Sequence, residues 1–179
     1  MSVVDELAAL MADKGQRNYG ENVTIAEHVL LTAGAAQAQG ASDTLIAACL
    51  LHDVGHWLDE PDDDFGIHAH GDTGGAWVAE RFGPAVAEPV RLHVEAKRYL
   101  CAVDPEYHDR LSPASQYTLT QQNGPMDSDQ VAAFETNKYF QDAVALRVLE
   151  DDHGKKTGTP VPLLKDFAAL LLQLANDDC

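Results

Sequence analysis

Positive charge is scarce in this chain. Lys and Arg number 12 against 29 Asp and Glu, a formal net charge of −17. A surface of that sign repels phosphate backbones and anionic lipid, which argues against nucleic acid and membrane as partners. No apolar run approaches the ~20 residues that span a bilayer. The opening MSVVDELAALMADKG is acidic and amphipathic, unlike a secretory leader. Cysteine is short too: Cys49, Cys101 and Cys179 are odd in number and lack CxxC spacing. They suggest neither a disulfide framework nor a thiolate zinc site. The expectation is a reduced, cytoplasmic enzyme or binding protein. Alternating strand patterns flanked by turns are missing, as are internal repeats. An anionic small substrate would need a local positive device: a metal, a lysine or a histidine.

What is present is helical periodicity, in a 179-residue chain of the length expected for one domain. Val3, Leu7, Leu10 and Met11 form one stripe, and a second segment runs from Thr24, an N-cap, through His28, Leu31 and Ala35 to Gly40. Ser42 and Asp43 cap a third helix, TLIAACLLHDVGHWL, apolar on nearly every side and therefore central. Acidic residues and Pro61 mark Asp59 to Gly66 as an exposed loop. Thr73 to Phe82 reads as a short helix closed by Gly83-Pro84, and Ala85 to Leu100 continues in helical steps. Residues 101–125 are less regular, a long helix is predicted over Ser128 to Glu150, and LLKDFAALLLQLA is a last amphipathic helix. The prediction is an all-α, single-domain helical bundle.

Histidine carries the chemistry. Among eight histidines, His28, His52, His56, His70 and His93 fall within or beside predicted helices. His52 and His56 are four apart with Asp53 beside them, so both rings are expected on one helix face. A buried imidazole is costly unless both ring nitrogens find partners, and five of them with a His-Asp pair point to metal. Imidazole and carboxylate without thiolate suit iron, manganese or zinc. Four histidines with two carboxylates exceed one tetrahedral site and fit two metals bridged by a carboxylate.

His28, the His52-Asp53 pair, a later histidine and a distant aspartate resemble the HD-domain superfamily of all-α metalloproteins. YGENVTIAEH (19–28), LLHDVGHW (50–57), HGDTGGAW (70–77), HVEAKRYL (93–100), LSPASQYTLTQQNGPM (111–126) and DDHGK (151–155) narrow it further. In that order they resemble the HD-type mixed-valence diiron oxygenases that break the carbon–phosphorus bond of 1-hydroxyphosphonates. Inositol oxygenase is similar in kind, but HVEAKRYL and the QNGPM segment favour the phosphonate branch.

The resemblance implies a set of roles. His28, His52, Asp53, His70, His93 and Asp151 are the expected ligands of two iron ions, Fe(II) and Fe(III), with Asp53 bridging. His68 is an alternative to His70, and Glu150 and Asp152 are alternatives to Asp151. His56, Lys97, Ser115 and Gln122 are expected at the substrate, and Arg147 near it. Tyr19 and Glu21 match a lid that in relatives covers the second iron before substrate arrives. Residues 1–22 are thus read as N-terminal helix and lid, 23–156 as metal-binding core and 157–179 as C-terminal helix.

The implied reaction consumes O2 and converts a 2-amino- or 2-(trimethylammonio)-1-hydroxyethylphosphonate to glycine or glycine betaine plus phosphate. A quaternary ammonium favours an aromatic box, for which Tyr19, Trp57, Tyr99 and Tyr117 are candidates, and Glu21 suits either cation. Two other readings compete: an HD phosphohydrolase acting on a nucleotide or phosphate ester, and a non-catalytic metal-dependent sensor.

Overall fold

The computed structural model describes residues 1–58 and 69–177, with side chains to residue 175. The expected acidic loop over 59–66, His68 and Cys179 lie outside the described residues.

Among the described residues the chain forms helices only, in the order α1 (Val3–Lys14), α2 (Ile25–Ala38), α3 (Asp43–Leu51), α4 (Gly55–Leu58), α5 (His70–Phe82), α6 (Pro84–Val103), α7 (Tyr107–Arg110), α8 (Pro113–Gln121), α9 (Ser128–Glu135), α10 (Phe140–His153) and α11 (Leu164–Asp177). Local sequence explains several starts. The Ser2 and Thr24 hydroxyls accept from the backbones of Asp5 and Glu27, whose carboxylates reach back to the cap residues, closing capping boxes on α1 and α2. Ser42 and Ser112 cap α3 and α8 in the same manner, each accepting from the residue three along. Gly83 turns the chain at φ 69° and Pro84 opens α6, where a missing N–H costs nothing.

The core explains the stacking. Ile46 through Leu51 on α3 are all buried, with Ala47, Ala48 and Leu51 fully enclosed. Small side chains there let neighbouring helices approach, while Leu50 and Leu51 each contribute about 1.5–3 kcal/mol by burial. Helices α2, α6, α10 and α11 pack around α3, and α6 also packs against α5 and α10. One apolar cluster joins α1 to α6 with α10 and α11, and a smaller one gathers Leu92, Ala96, Met126, Phe134 and Ala143.

Three boundaries depart from periodicity. The predicted helix through Leu58 stops at Leu51, turns over 52–54, and restarts as α4 at Gly55. The His52 ring contacts the Cys49 carbonyl at 2.8 Å, and a Cβ on Gly55 would collide with the His70 backbone. The break therefore serves close packing of α4 on α5 rather than helix propensity. Helix α5 begins at His70, three residues before the predicted Thr73. The long helix predicted over Ser128 to Glu150 divides at 136–139 into α9 and α10. There the Thr136 and Asn137 amides bond back to Ala133 and Phe134 in tight turns.

Candidate metal centre

Four helices place the histidines. His28 lies on α2, His52 closes α3, His70 opens α5, and His93 sits midway along α6. All four are buried. His28, His52 and His93 direct Nδ1 to the carbonyls of Gly154, Cys49 and Val90 at 2.9, 2.8 and 2.7 Å. A carbonyl can only accept, so Nδ1 carries the proton and Nε2 presents a lone pair.

Those lone pairs converge. The Nε2 atoms of His28 and His52 are 3.1 Å apart, as are those of His70 and His93. As neutral imidazoles, His28 and His52, each with Nδ1 given to a carbonyl, have no proton to share between them. The contact is then repulsive unless a cation, a proton or a metal ion, sits between the rings. Two imidazoles sharing one ion at ~2.1 Å lie about 3.0–3.4 Å apart for ordinary coordination angles.

Asp53 stands between the pairs. Its Oδ2 is 3.6 and 3.5 Å from Nε2 of His28 and His52. Its Oδ1 is 3.8 and 3.7 Å from Nε2 of His70 and His93. His28, His52 and Asp53 form one potential metal cluster; Asp53, His70 and His93 form another. Burial alone would raise the Asp53 carboxyl, but the surrounding imidazoles hold it well below the usual carboxylate range. Burial pushes His93 down to about 4, so it is neutral at pH 7, as a ligand must be.

The carboxylate facing the first pair is Glu150. It lies 3.7 Å from His28 and 3.8 Å from His52. Its Oε2 is buried and, among the described residues, has no hydrogen-bond partner. An orphaned carboxylate oxygen is costly, and a cation resolves it. Sequence reading placed Asp151 in this position. The structure turns Asp151 elsewhere: its oxygens receive Nε and Nη2 of Arg147 at 2.9 and 2.6 Å and the Tyr107 hydroxyl. Successive helical residues diverge by ~100°, so only one of the two acids can face the histidines. Asp152 lines a separate groove beside Gln39 and His153.

The family match spans the four histidines and Asp53: an HD domain covers residues 24–122. The chain belongs to the HD-domain family. The chain is also similar, over nearly its whole length, to two relatives named for activities. One is [1-hydroxy-2-(trimethylamino)ethyl]phosphonate dioxygenase (glycine-betaine-forming) of Leisingera caerulea, 39% identical over 98% of this chain and 91% of the relative. The other is hydroxymethylphosphonate dioxygenase of Gimesia maris, 43% identical over 92% of this chain and 84% of the relative. A third, uncharacterized protein L432 of Acanthamoeba polyphaga mimivirus, is 30% identical over 97% of this chain and 82% of its own length.

Beside the histidines the chain opens a cleft lined by Tyr19, Glu21, His56, Lys97, Ser115, Gln122, Arg147 and Lys155 among others. His56 stacks on His70 with ring centres 4.0 Å apart, and its Nε2 lies 3.8 Å from Asp53. Lys97 was open to pairing with Glu95; instead Arg98 takes Glu95, and Lys97 Nζ donates to Thr118 Oγ1 at 2.8 Å. Burial and the Arg147 guanidinium lower Lys97 to about 7. Tyr19 holds a left-handed backbone, φ 44°, beside Gly20 at 84°, and its ring lies 5.0 Å from that of His56. A non-glycine residue there costs about 1–2 kcal/mol, which the Tyr19 contacts must offset.

Of the four aromatic-box candidates, Tyr19 alone lines the cleft among the described residues. Trp57 is in the core, Tyr99 packs on Phe134 and Phe140, and Tyr117 is exposed. Sequence reading missed Thr118 and Lys155. The signal for Thr118 was its three-residue spacing from Ser115, one helical turn; for Lys155 it was the DDHGK motif itself.

Proposed function

We propose that this HD domain is an O2-dependent oxygenase of phosphonate catabolism, using two iron ions to cleave the C–P bond of a short 1-hydroxyalkylphosphonate. The overall change is R–CH(OH)–PO3²⁻ plus O2 to a carboxylic acid and hydrogen phosphate, with both oxygen atoms retained in the products. The observation that carries the reading is the pair of 3.1 Å imidazole contacts on either side of one carboxylate, at the floor of a cleft lined by cations. The similarity to two named phosphonate dioxygenases supports it.

In this reading His28, His52 and Glu150 would hold one iron and His70 and His93 the other, with Asp53 offering one carboxylate oxygen to each pair. The donor set fits: imidazoles with fixed tautomers and ionised carboxylates match a redox-active divalent or trivalent ion. When bound, the irons supply Lewis acidity and the redox capacity that O2 chemistry needs. The chain's own residues do the rest. Lys97, with Ser115 and Gln122, binds the phosphonate and keeps C1 against the metals. His56, stacked beside His70 with Nε2 3.8 Å from Asp53, takes the hydroxyl proton in this reading. Tyr19 and Glu21 lie over the cleft, where they shield the site from water and meet the substituent R. Tyr19 offers R an aromatic face and Glu21 an anion, which suit an amino or a trimethylammonio group.

Iron-loaded protein given hydroxymethylphosphonate or 2-amino-1-hydroxyethylphosphonate is expected to release phosphate one-for-one with O2 consumed. Equal phosphate release under anaerobic conditions, or release from phosphate esters alone, would return the site to hydrolysis.

A further inference from the structure

Three cations meet hydroxyls along one turn of α8, in a chain with only 12 Lys and Arg in all. Lys155 Nζ donates to Ser115 Oγ at 2.6 Å, Arg147 Nη2 reaches the same oxygen at 3.4 Å, and Lys97 Nζ donates to Thr118 Oγ1 at 2.8 Å. They are not equally committed. Arg147 is bound through two nitrogens to Asp151 at 2.9 and 2.6 Å and reaches Glu150 Oε1 at 3.1 Å. A planar guanidinium held on two sides by carboxylates has little charge or geometry left for a ligand. Lys155 differs: its two ion pairs are long, 3.3 Å to Glu21 and 3.4 Å to Asp151. Its ammonium also reaches Ser112 Oγ, at 3.3 Å, and the side chain is mostly enclosed in the cleft. An ammonium has three donors that rotate to suit a new acceptor.

We propose that Lys155, rather than Arg147, is the second cationic contact of the phosphonate subsite alongside Lys97, with the Ser115 hydroxyl, which accepts from Lys155, as the neutral group beside them. This rests on the phosphonate reading above. Arg147 becomes a positioning residue: its guanidinium connects Glu150 to Asp151, so it orients a metal-facing carboxylate and leaves the anion to the lysines. Helix α10 thus serves two purposes. Positions 147, 150 and 151 steady the metal side, and residue 155, past the helix end, serves the substrate side.

The test uses the metal-loaded full chain and inorganic phosphate as probe, because phosphate binding needs no turnover. Lys155→Met is expected to weaken phosphate binding by calorimetry about 10- to 100-fold, the usual loss for a charge-assisted hydrogen bond. Metal content should stay unchanged, and Lys155→Arg should recover part of the affinity. With a hydroxyphosphonate substrate the same loss appears in KM more than in kcat. Unchanged phosphate affinity in Lys155→Met overturns the assignment, as does a wild-type protein that does not bind phosphate. If Lys155→Met does not fold, Lys155→Gln takes its place under the same criteria. Phosphate binding that falls in the variant while wild type turns over no hydroxyphosphonate supports the lysine and defeats the reaction instead.

Discussion

Replacing Gly154 by alanine sets two physical effects against each other. The residue is at the end of α10 with φ −64°, a conformation alanine adopts freely. Helix propensity alone makes the change stabilising by up to about 1 kcal/mol. The surroundings argue the opposite. A Cβ at this position would lie 2.7 Å from Cε1 and 2.8 Å from Nδ1 of His28, and would press on the Thr32 hydroxyl. Neither neighbour is free to yield: His28 Nδ1 is engaged with the Gly154 carbonyl at 2.9 Å, and Thr32 Oγ1 donates to the His28 carbonyl at 2.8 Å. Overpacking of this kind costs typically 1–3 kcal/mol. It also displaces the group that fixes the His28 tautomer, and loss of such a support lowers metal affinity about 10- to 100-fold. Gly154→Ala should therefore lower the melting temperature of the metal-free protein and weaken iron binding at the His28–His52 pair. Thermal melts with competitive iron titration measure both. A variant that melts higher and binds iron as tightly as wild type refutes the packing argument.

The two neighbouring acids separate by metal content. Glu150→Gln should lose affinity for one of two irons, whereas Asp151→Asn, which removes only the partner of Arg147 and Lys155, should keep both; the reverse pattern restores Asp151 as ligand. Lys97 titrates low because burial and Arg147 disfavour its charge. The unfolded chain thus binds more protons between pH ~7 and the ordinary lysine value of ~10.4. Stability of the metal-free protein should rise with pH across that window, and Lys97→Met should flatten the rise in pH-dependent melts. In the same protein an anion favours the protonated ammonium, so phosphate affinity should fall as pH climbs above about 7, again by calorimetry. His93, lowered by burial to about 4, contributes in the acid range. Its contribution is complete above pH ~6.5 and is lost as pH falls toward 4, seen as a falling melting temperature over that interval.

Much of the bundle was legible because hydrophobic periodicity and capping residues are local. Thr24 and Ser42 start α2 and α3 as read from the chain, and the apolar run Ile46 to Leu51 is the buried centre. The breaks at 52–54 and 136–139 were not legible, because tertiary contacts cause them. Gly55 matters through the His70 backbone, which no local pattern reveals. The histidines of the site were named from residue type and motif order. Choosing among Glu150, Asp151 and Asp152 needs the rotation of α10, since the three acids are adjacent and chemically alike. Only the neighbours distinguish them: the Tyr107 hydroxyl and two Arg147 nitrogens engage one, and the imidazoles face another. The partition of charge between Arg147 and Lys155 is likewise a matter of distances. Nothing in the motif DDHGK tells a ligand-binding lysine from one that merely closes a helix.

Anaerobic titration of metal-free protein with ferrous iron tests the central claim, that Asp53 joins two metal sites, most directly. Wild type should bind two irons per chain, and partial oxidation should give the magnetic signature of a coupled pair. Asp53→Asn should lose that coupling and most affinity for at least one ion. A single iron per chain, or two irons whose binding and spectrum do not change in Asp53→Asn, would contradict the account.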